Sequence, residues 1–252
     1  MTFLTTLLAV GMISNSANIP NNNLTLNDLD DERIIEKYAP SQPKRLIDLG
    51  CGTGSVSVLL AEKGFEVTGV DLSCEMLSAA LKKASDKHIK MLLVEQDMAK
   101  LDCGENYGAA ICSFDGINYL TKREELSQCF ERTADSLCEG GVFVFDVNSK
   151  YKYENIIADN TFIYETEDLF LSWQNYYVKE KGVCDFYLTF FEKHGEKWRR
   201  TDEYQRQKMY SDRTLRNALE KAGFEICERF SDISCAPVTD ESERIFYVCR
   251  KK

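Results

Sequence analysis

Residues 44–73, KRLIDLGCGTGSVSVLLAEKGFEVTGVDLS, limit what this chain can fold into more than any other stretch. A short apolar run at 46–49 leads into Gly50, Gly52 and Gly54 at alternate positions, and an amphipathic run follows. That order reads as strand, tight turn and helix. Glycine belongs in such a turn because the backbone visits angles closed to other residues, and because a ligand can lie against main chain with no Cβ between. About twenty residues beyond the first glycine, a second apolar run at 65–70 ends in Asp71, where a carboxylate can accept both hydroxyls of a ribose. The unit reads as a nucleoside-binding βαβ half.

Glycine spacing and Asp48 narrow the nucleoside. A dinucleotide fingerprint, G-x-G-x-x-G, would place its third glycine at Ser55; here it is Gly54, and Asp48 stands two residues before the turn. An acid there repels a pyrophosphate and favours the ammonium of an amino-acid head, directly or through water. The run Asp48-Leu49-Gly50-Cys51-Gly52-Thr53-Gly54 resembles the first motif, (D/E)-x-G-x-G-x-G, of the class I S-adenosylmethionine (SAM) dependent methyltransferases. The resemblance spans roughly residues 45–250, with its specificity in the first third. It is nearest to bacterial small-molecule enzymes of the glycine/sarcosine N-methyltransferase-like kind.

What the resemblance implies is specific. The fold is α/β, a Rossmann-like seven-stranded sheet with an inserted antiparallel β subdomain, and the cofactor is SAM. Gly50, Cys51 and Gly52 meet the methionyl part through main chain, Asp71 takes the ribose, Leu72 and Met76 the adenine face, and Asp97 the adenine amino group, with Met98 beside the ring. Asp48, Gly54 and Ser113 complete the cofactor-binding set.

Composition sets outer limits. The 252 residues suffice for one α/β domain and a subdomain. The net charge of −10 presents a repulsive field to an extended polyanion, so nucleic acid is not the expected partner. The 10 cysteines contain no C-x-x-C pair and read as reduced, in a cytoplasmic protein. With 2 histidines, no metal site is expected. Residues 1–13 are apolar but too short to span a bilayer, and no Lys or Arg precedes them; they read as an N-terminal helix on the domain or near the cleft rather than a secretory signal.

Along the chain, 18–27 is a polar connector and 28–38 a short helix with Ile34 and Ile35 inward, stopped by Pro40 and Pro43. The pattern then predicts a helix over 74–84, strands over 91–95 and 109–113, a helix over 122–137 closed by Gly140 and Gly141, and a strand over 142–147. Such alternation implies a parallel, doubly wound sheet, which binds ligands outside the carboxyl ends of its strands. Gly50, Asp71, Asp97, Asp115 and Asp146 all fall at or beside those ends. From 162 to 210 the period becomes that of aromatic, alternating strands, three to five of them, expected to roof the cleft. Ser211 then caps a helix, and strands over 224–230 and 244–249 close the sheet. The expected organisation is an N-terminal segment over 1–32, a SAM-binding domain over 33–149 and 211–252, and an inserted cap over 150–210.

On the acceptor side, Asp115, Asn118 and Tyr119 lie just past the fourth strand, as candidates to orient a small-molecule acceptor; no catalytic residue is identified. The stretch CSFDGINY lacks the (N/D)-P-P-(Y/F) tetrad of DNA amino-methyltransferases. Methyl transfer at nitrogen or oxygen to a small molecule is the expected reaction. The alternatives are a tRNA or rRNA methyltransferase, for which Lys193, Lys197, Arg199, Arg200, Arg206 and Lys208 would form a phosphate strip, and a non-catalytic SAM-binding protein.

Overall fold

The computed structural model describes residues 35, 37–39, 43–232 and 235–252. The expectations for residues 1–32 and for Ile34 lie outside them. Ile35 is buried and the segment at 37–38 is helical, as the pattern over 28–38 implies.

Strands β1 (Arg45–Leu49), β2 (Glu66–Asp71), β3 (Leu92–Glu95), β4 (Tyr107–Cys112) and β5 (Leu137–Asn148) run parallel. After the inserted sheet come β10 (Phe224–Phe230) and β11 (Arg244–Lys251), and β11 lies antiparallel between β10 and β5. The order is β10-β11-β5-β4-β1-β2-β3, so chain direction across the sheet reverses between β1 and β4. That reversal is the topological switch point, where a crevice opens at the carboxyl ends. Helices α1 (Ser55–Glu62), α2 (Cys74–Asp86), α3 (Arg123–Ser136) and α4 (Asp212–Lys221) complete the layers. Both faces of the central strands are covered. Leu46, Ala109, Ile111 and Val144 enter one core with Val56 and Leu60, whereas Ile47, Leu49, Ala110 and Phe145 enter the other with Phe130 and Tyr247. The doubly wound sheet expected from the alternation is therefore present, as is the Ser211 cap, whose hydroxyl accepts Thr214 N at 3.2 Å.

The expected glycine stop of α3 needs correcting. The helix ends at Ser136 and β5 begins at Leu137, so Gly140 and Gly141 lie inside the strand. Tyr107 pairs with Leu137 but Ala109 pairs with Val142, which forces the intervening residues of β5 to bulge. Gly140 takes φ 73° there, and a Cβ on Gly141 would come within 2.9 Å of the Cys138 carbonyl. These glycines serve a bulge rather than a helix end.

The alternating region forms a separate antiparallel sheet of β6 (Thr161–Glu165), β7 (Leu169–Val178), β8 (Val183–His194) and β9 (Lys197–Lys208), in that order. Its aromatics divide by strand period. Trp173, Phe186 and Phe190 are buried with Leu171, Leu188 and Tyr153, whereas Tyr176, Tyr187, Trp198 and Tyr204 are exposed. A π-helical turn, Lys152–Ile157, that no sequence pattern announces packs Tyr153 and Ile157 into this small core. No helix among the described residues is long and apolar enough to cross a membrane.

Candidate functional site

The turn after β1 is built from left-handed residues: Gly50, Gly52 and Gly54 have φ 67°, 54° and 70°. At Gly54 the absence of a Cβ is also needed for space, whereas at Gly50 an added one would only touch a neighbour. One on Gly54 would lie 2.8 Å from Ala80 Cβ, so the glycine lets α1 and α2 close on each other; one on Gly50 would lie 3.6 Å from Met98 Cε. The turn is fastened to the next strand twice. Cys51 N donates to Val70 O at 3.0 Å, and Gly52 N donates to Asp71 Oδ2 at 2.8 Å. The other carboxylate oxygen, Asp71 Oδ1, accepts Ser73 N at 2.9 Å, and the Ser73 hydroxyl caps α2 by accepting Met76 N at 3.2 Å. Asp71 is thereby locked in orientation while keeping acceptor capacity, since a carboxylate offers about four lone-pair sites.

Around Asp71 the surface is mixed. Leu72 is 68% exposed, an apolar face at the strand end, whereas Met76 is buried in α2 at 1%. Asp97 Oδ1 accepts Ala99 N at 2.9 Å and so caps the short turn Met98–Lys100, which holds Met98 against the glycine turn. Asp48 is buried and accepts the Ser57 hydroxyl, which ties the end of β1 to α1. Burial pushes the Cys51 thiol well up, with Asp48 and Asp71 adding to it, so this cysteine stays protonated and acts as a small packing group. Among the described residues no group of three or more His, Cys, Asp or Glu is arranged to hold a metal.

On the other side of β1, the chain leaves β4 through Ser113 into two consecutive left-handed non-glycine residues, Phe114 at φ 59° and Asp115 at φ 54°. Such a pair persists only where the surroundings impose it. They do: Asp115 N donates to Asp146 Oδ2 at 2.8 Å, Arg244 Nη2 reaches Asp115 Oδ1 at 2.9 Å, and Gln207 Nε2 donates to Asp115 Oδ2 at 2.6 Å. Arg244 also pairs with Asp146 through Nη1. Gln207 in turn accepts Tyr153 OH at 2.8 Å and Asn148 Nδ2 at 3.2 Å. Asn118, fully buried, donates to Lys208 O at 2.8 Å and accepts Asn148 N at 2.9 Å. The network joins the two sheets through β4, β5, β9 and β11.

Of the three acceptor-side candidates, Asp115 and Asn118 are thus committed to internal bonds, and Tyr119 alone keeps an exposed ring, at 37%. Its hydroxyl donates to Gln205 Oε1 at 2.9 Å. Sequence reading did not find Asn148, Lys152, Tyr153, Gln207 or Arg244. One signal was available: Asp146 interrupts the apolar run VFVFDV, and a carboxylate in a doubly covered strand requires a cation. Burial pushes the Asp146 carboxyl up, and Arg244 pulls against that.

Lys152, also buried beside this cluster, is lowered to about 8 by burial and next by Arg244, with Asp115, Glu243 and Asp146 opposing. Its usual value is 10.5, so between the two the unfolded chain holds a proton that the folded chain has released. Stability therefore rises with pH through that window, and below it the burial cost is felt in full. Lys152→Met should gain stability relative to the wild type by about 3 kcal/mol more at pH 7 than at pH 11. Denaturant unfolding of both proteins at both pH values measures this, and a pH-independent difference would refute it.

Fold and site together define a doubly wound α/β protein of the nucleotide-binding type, with a left-handed glycine turn at the switch point of its seven-stranded sheet, where such sheets bind ligands. Comparison with known proteins agrees. A family model described as a methyltransferase domain matches residues 46–141. A protein of Geobacillus sp. (strain WCH70) named as a methyltransferase is 34% identical over 221 residues, covering 87% of this chain and 90% of that one. The crystal structure of a SAM-dependent methyltransferase from Clostridium acetobutylicum ATCC 824 superposes with a TM-score of 0.84 at 29% identity, over 91% of this chain and 93% of that chain. A Streptomyces fradiae enzyme named as a dTDP-3-amino-3,6-dideoxy-alpha-D-glucopyranose N,N-dimethyltransferase is 30% identical over 113 residues, 45% of this chain and 42% of that protein. The chain belongs to the class I SAM-dependent methyltransferases. It is accordingly a methyltransferase with a Rossmann-like fold, and SAM is its cofactor.

Proposed function

We propose that the protein transfers the methyl group of SAM to a small-molecule acceptor, at nitrogen or oxygen, in a cleft roofed by the four-stranded sheet. The observation that carries this reading is the left-handed glycine turn tied by Gly52 N to the carboxylate of Asp71, next to the exposed Leu72. In it, the main chain of Gly50, Cys51 and Gly52 holds the methionyl part, Asp71 the ribose, Leu72 the adenine face, and Asp97 with Met98 the adenine edge. Asp48, Gly54 and Ser113 complete the cofactor-binding set, and Met76 belongs with Leu72 to the adenine face. Bound SAM supplies an activated methyl on a sulfonium, whose in-line displacement depends on alignment and water exclusion more than on acid or base help. Asp115 and Asn118 act by holding the turn after β4, and Tyr119 faces the acceptor.

The same reading makes residues 33–149 with 211–252 the cofactor domain and 150–210 the cap. A small acceptor suits the amino-sugar substrate in the name of the Streptomyces relative. It also suits the cationic strip of the cap, where Arg206 pairs with Asp185, Arg200 with Asp202, and Lys193 with Asp168, so that three of its six cations are met by carboxylates. All ten cysteines are free, which favours the cytoplasm. Asp71→Ala should weaken S-adenosylhomocysteine binding at least about tenfold, the worth of one or two charge-assisted hydrogen bonds. Calorimetric titration reads it directly; unchanged affinity would remove Asp71 from the site.

A further inference from the structure

The buried aromatics of the four-stranded sheet all lie on one face, and the alternate positions of its strands form the other. Residues opposite one another in a register pair project to the same side of a sheet. On this outer face, Tyr187 pairs with Gln174 of β7 and Tyr204 of β9, Asp185 with Tyr176 and Arg206, and Thr189 with Ser172 and Asp202. Beyond these three rows lie Val178, Val183 and Lys208 at one end and Phe170, Phe191 and Arg200 at the other. Of the ten large apolar or aromatic side chains exposed among the described residues, six stand on this face: Ile163, Tyr176, Val178, Tyr187, Trp198 and Tyr204. Single exposed side chains need no explanation, but a concentration on one side of a small sheet marks an interaction surface.

We propose that two copies of the chain pack through this face, sheet on sheet, as a symmetric dimer. Charge favours a second copy over an unlike partner. Arg206 holds Asp185 through two nitrogens at 2.5 and 2.9 Å, and Arg200 holds Asp202 at 2.9 Å, so the face carries its charge in opposite-sign pairs. It offers neither a polyanion nor a polycation a uniform field, and on a chain of net charge −10 it is a near-neutral patch where an equally charged copy can approach.

The register is also self-complementary. Facing sheets keep their strands within about 30° of each other. A two-fold axis laid between them along the row of Gln174, Tyr187 and Tyr204 keeps each strand opposite its own copy and reverses position along it, so that each contact occurs twice. Arg206 then stands opposite Asp202 of the second copy, and Asp202 opposite its Arg206. One row further out, Val178 and Val183 meet Phe170 and Phe191, apolar against apolar. The like charges of Lys208 and Arg200 fall on β9, the edge strand, where water screens them. At the centre, the rings of Tyr176 and Tyr204 flank Tyr187 at 5.5 and 5.2 Å, a cluster of the residue type that anchors interfaces. Strands of 5, 10, 12 and 12 residues, each residue covering about 3.4 Å by 4.8 Å, give the face roughly 640 Å² of flat area. Side-chain relief brings this toward the ~800 Å² per partner of a standard interface. Gln207 and Gln205 reach Asp115 and Tyr119 from the opposite face, so the pairing leaves the side toward the cofactor domain untouched.

Sedimentation equilibrium of the full chain at about 10 µM should give twice its mass of 28.8 kDa. Arg206→Glu sets two acids opposite each other at both symmetry-related contacts, and Asp202→Arg sets two cations there. Each should weaken self-association at least about hundredfold. In a mixture of the two reversed proteins, every such contact of the mixed pair again joins opposite signs, so the dimer mass should return; its return also certifies that both proteins are folded. A wild type that is monomeric at this concentration would overturn the proposal and assign the face to an unlike partner. Association that survives either reversal, or two reversed proteins that stay monomeric when mixed, would overturn it as well.

Discussion

Arg244→Met is expected to cost about 3–5 kcal/mol of folding stability, the range seen when one partner of a buried ion network is removed. Among the described residues, Arg244 is the only guanidinium on two carboxylates, Asp115 and Asp146, and all three residues are at least nine-tenths buried. Methionine fills much of the volume but leaves both acids without their cation, in a place where water cannot replace it. Folding would then require a carboxylate to take up a proton, so the loss should shrink as the pH is lowered toward the raised range of Asp146. Adding Asp115→Asn and Asp146→Asn to the Arg244→Met protein should recover a large part of the stability, because neutral amides do not carry the same desolvation cost. Guanidinium denaturation of the single and triple variants checks both statements. A loss below about 1 kcal/mol for the single variant would mean that the cluster is hydrated and weak.

This network also shows where sequence reading stops. The glycine turn, the helices and the parallel strands as elements were legible because each depends on neighbours within about thirty residues: turn chemistry, helical period and apolar runs. The correspondence of Ser211 with an observed cap is of this local kind. Asp115 meets Gln207 across 92 positions and Arg244 across 129, and no period or motif marks such pairs. Read alone, Asp115 and Asn118 resemble exposed loop residues poised for an acceptor; the tertiary fold turns them inward. Gly140 and Gly141 were misread for a related reason. A left-handed glycine after a helical run suits both a helix stop and a strand bulge, and only the pairing of Tyr107 with Leu137 decides between them. The alternation of the inserted strands marked them as strands, but it could not say which face would meet the cofactor domain.

The second large effect concerns a position that was legible. Gly54→Ala should destabilise the protein by about 3 kcal/mol, combining ~1–2 kcal/mol for a left-handed backbone carrying a Cβ with an overpacking cost of ~1–3 kcal/mol. The new carbon would sit 2.8 Å from Ala80 Cβ and 3.3 Å from Ala80 Cα, and the second contact is backbone, so no rotamer change relieves it. Helices α1 and α2 must part, and since α1 starts directly at Gly54, the turn that bonds Asp71 moves with it. Affinity for S-adenosylhomocysteine should therefore fall at least about tenfold. Gly64→Ala separates the two causes. Gly64 has φ 91° with nothing within 4 Å of a new Cβ, so its replacement carries the backbone cost without the clash and should leave cofactor affinity intact. Ala80→Gly in the Gly54→Ala protein runs the argument in reverse. It removes the atom that is struck at 2.8 Å, at a helix-propensity cost of about 1 kcal/mol, and should restore cofactor affinity more than it restores stability. Should Gly54→Ala and Gly64→Ala prove equal in both measurements, helix contact has no part in shaping the turn, and its left-handed angles alone explain the third glycine.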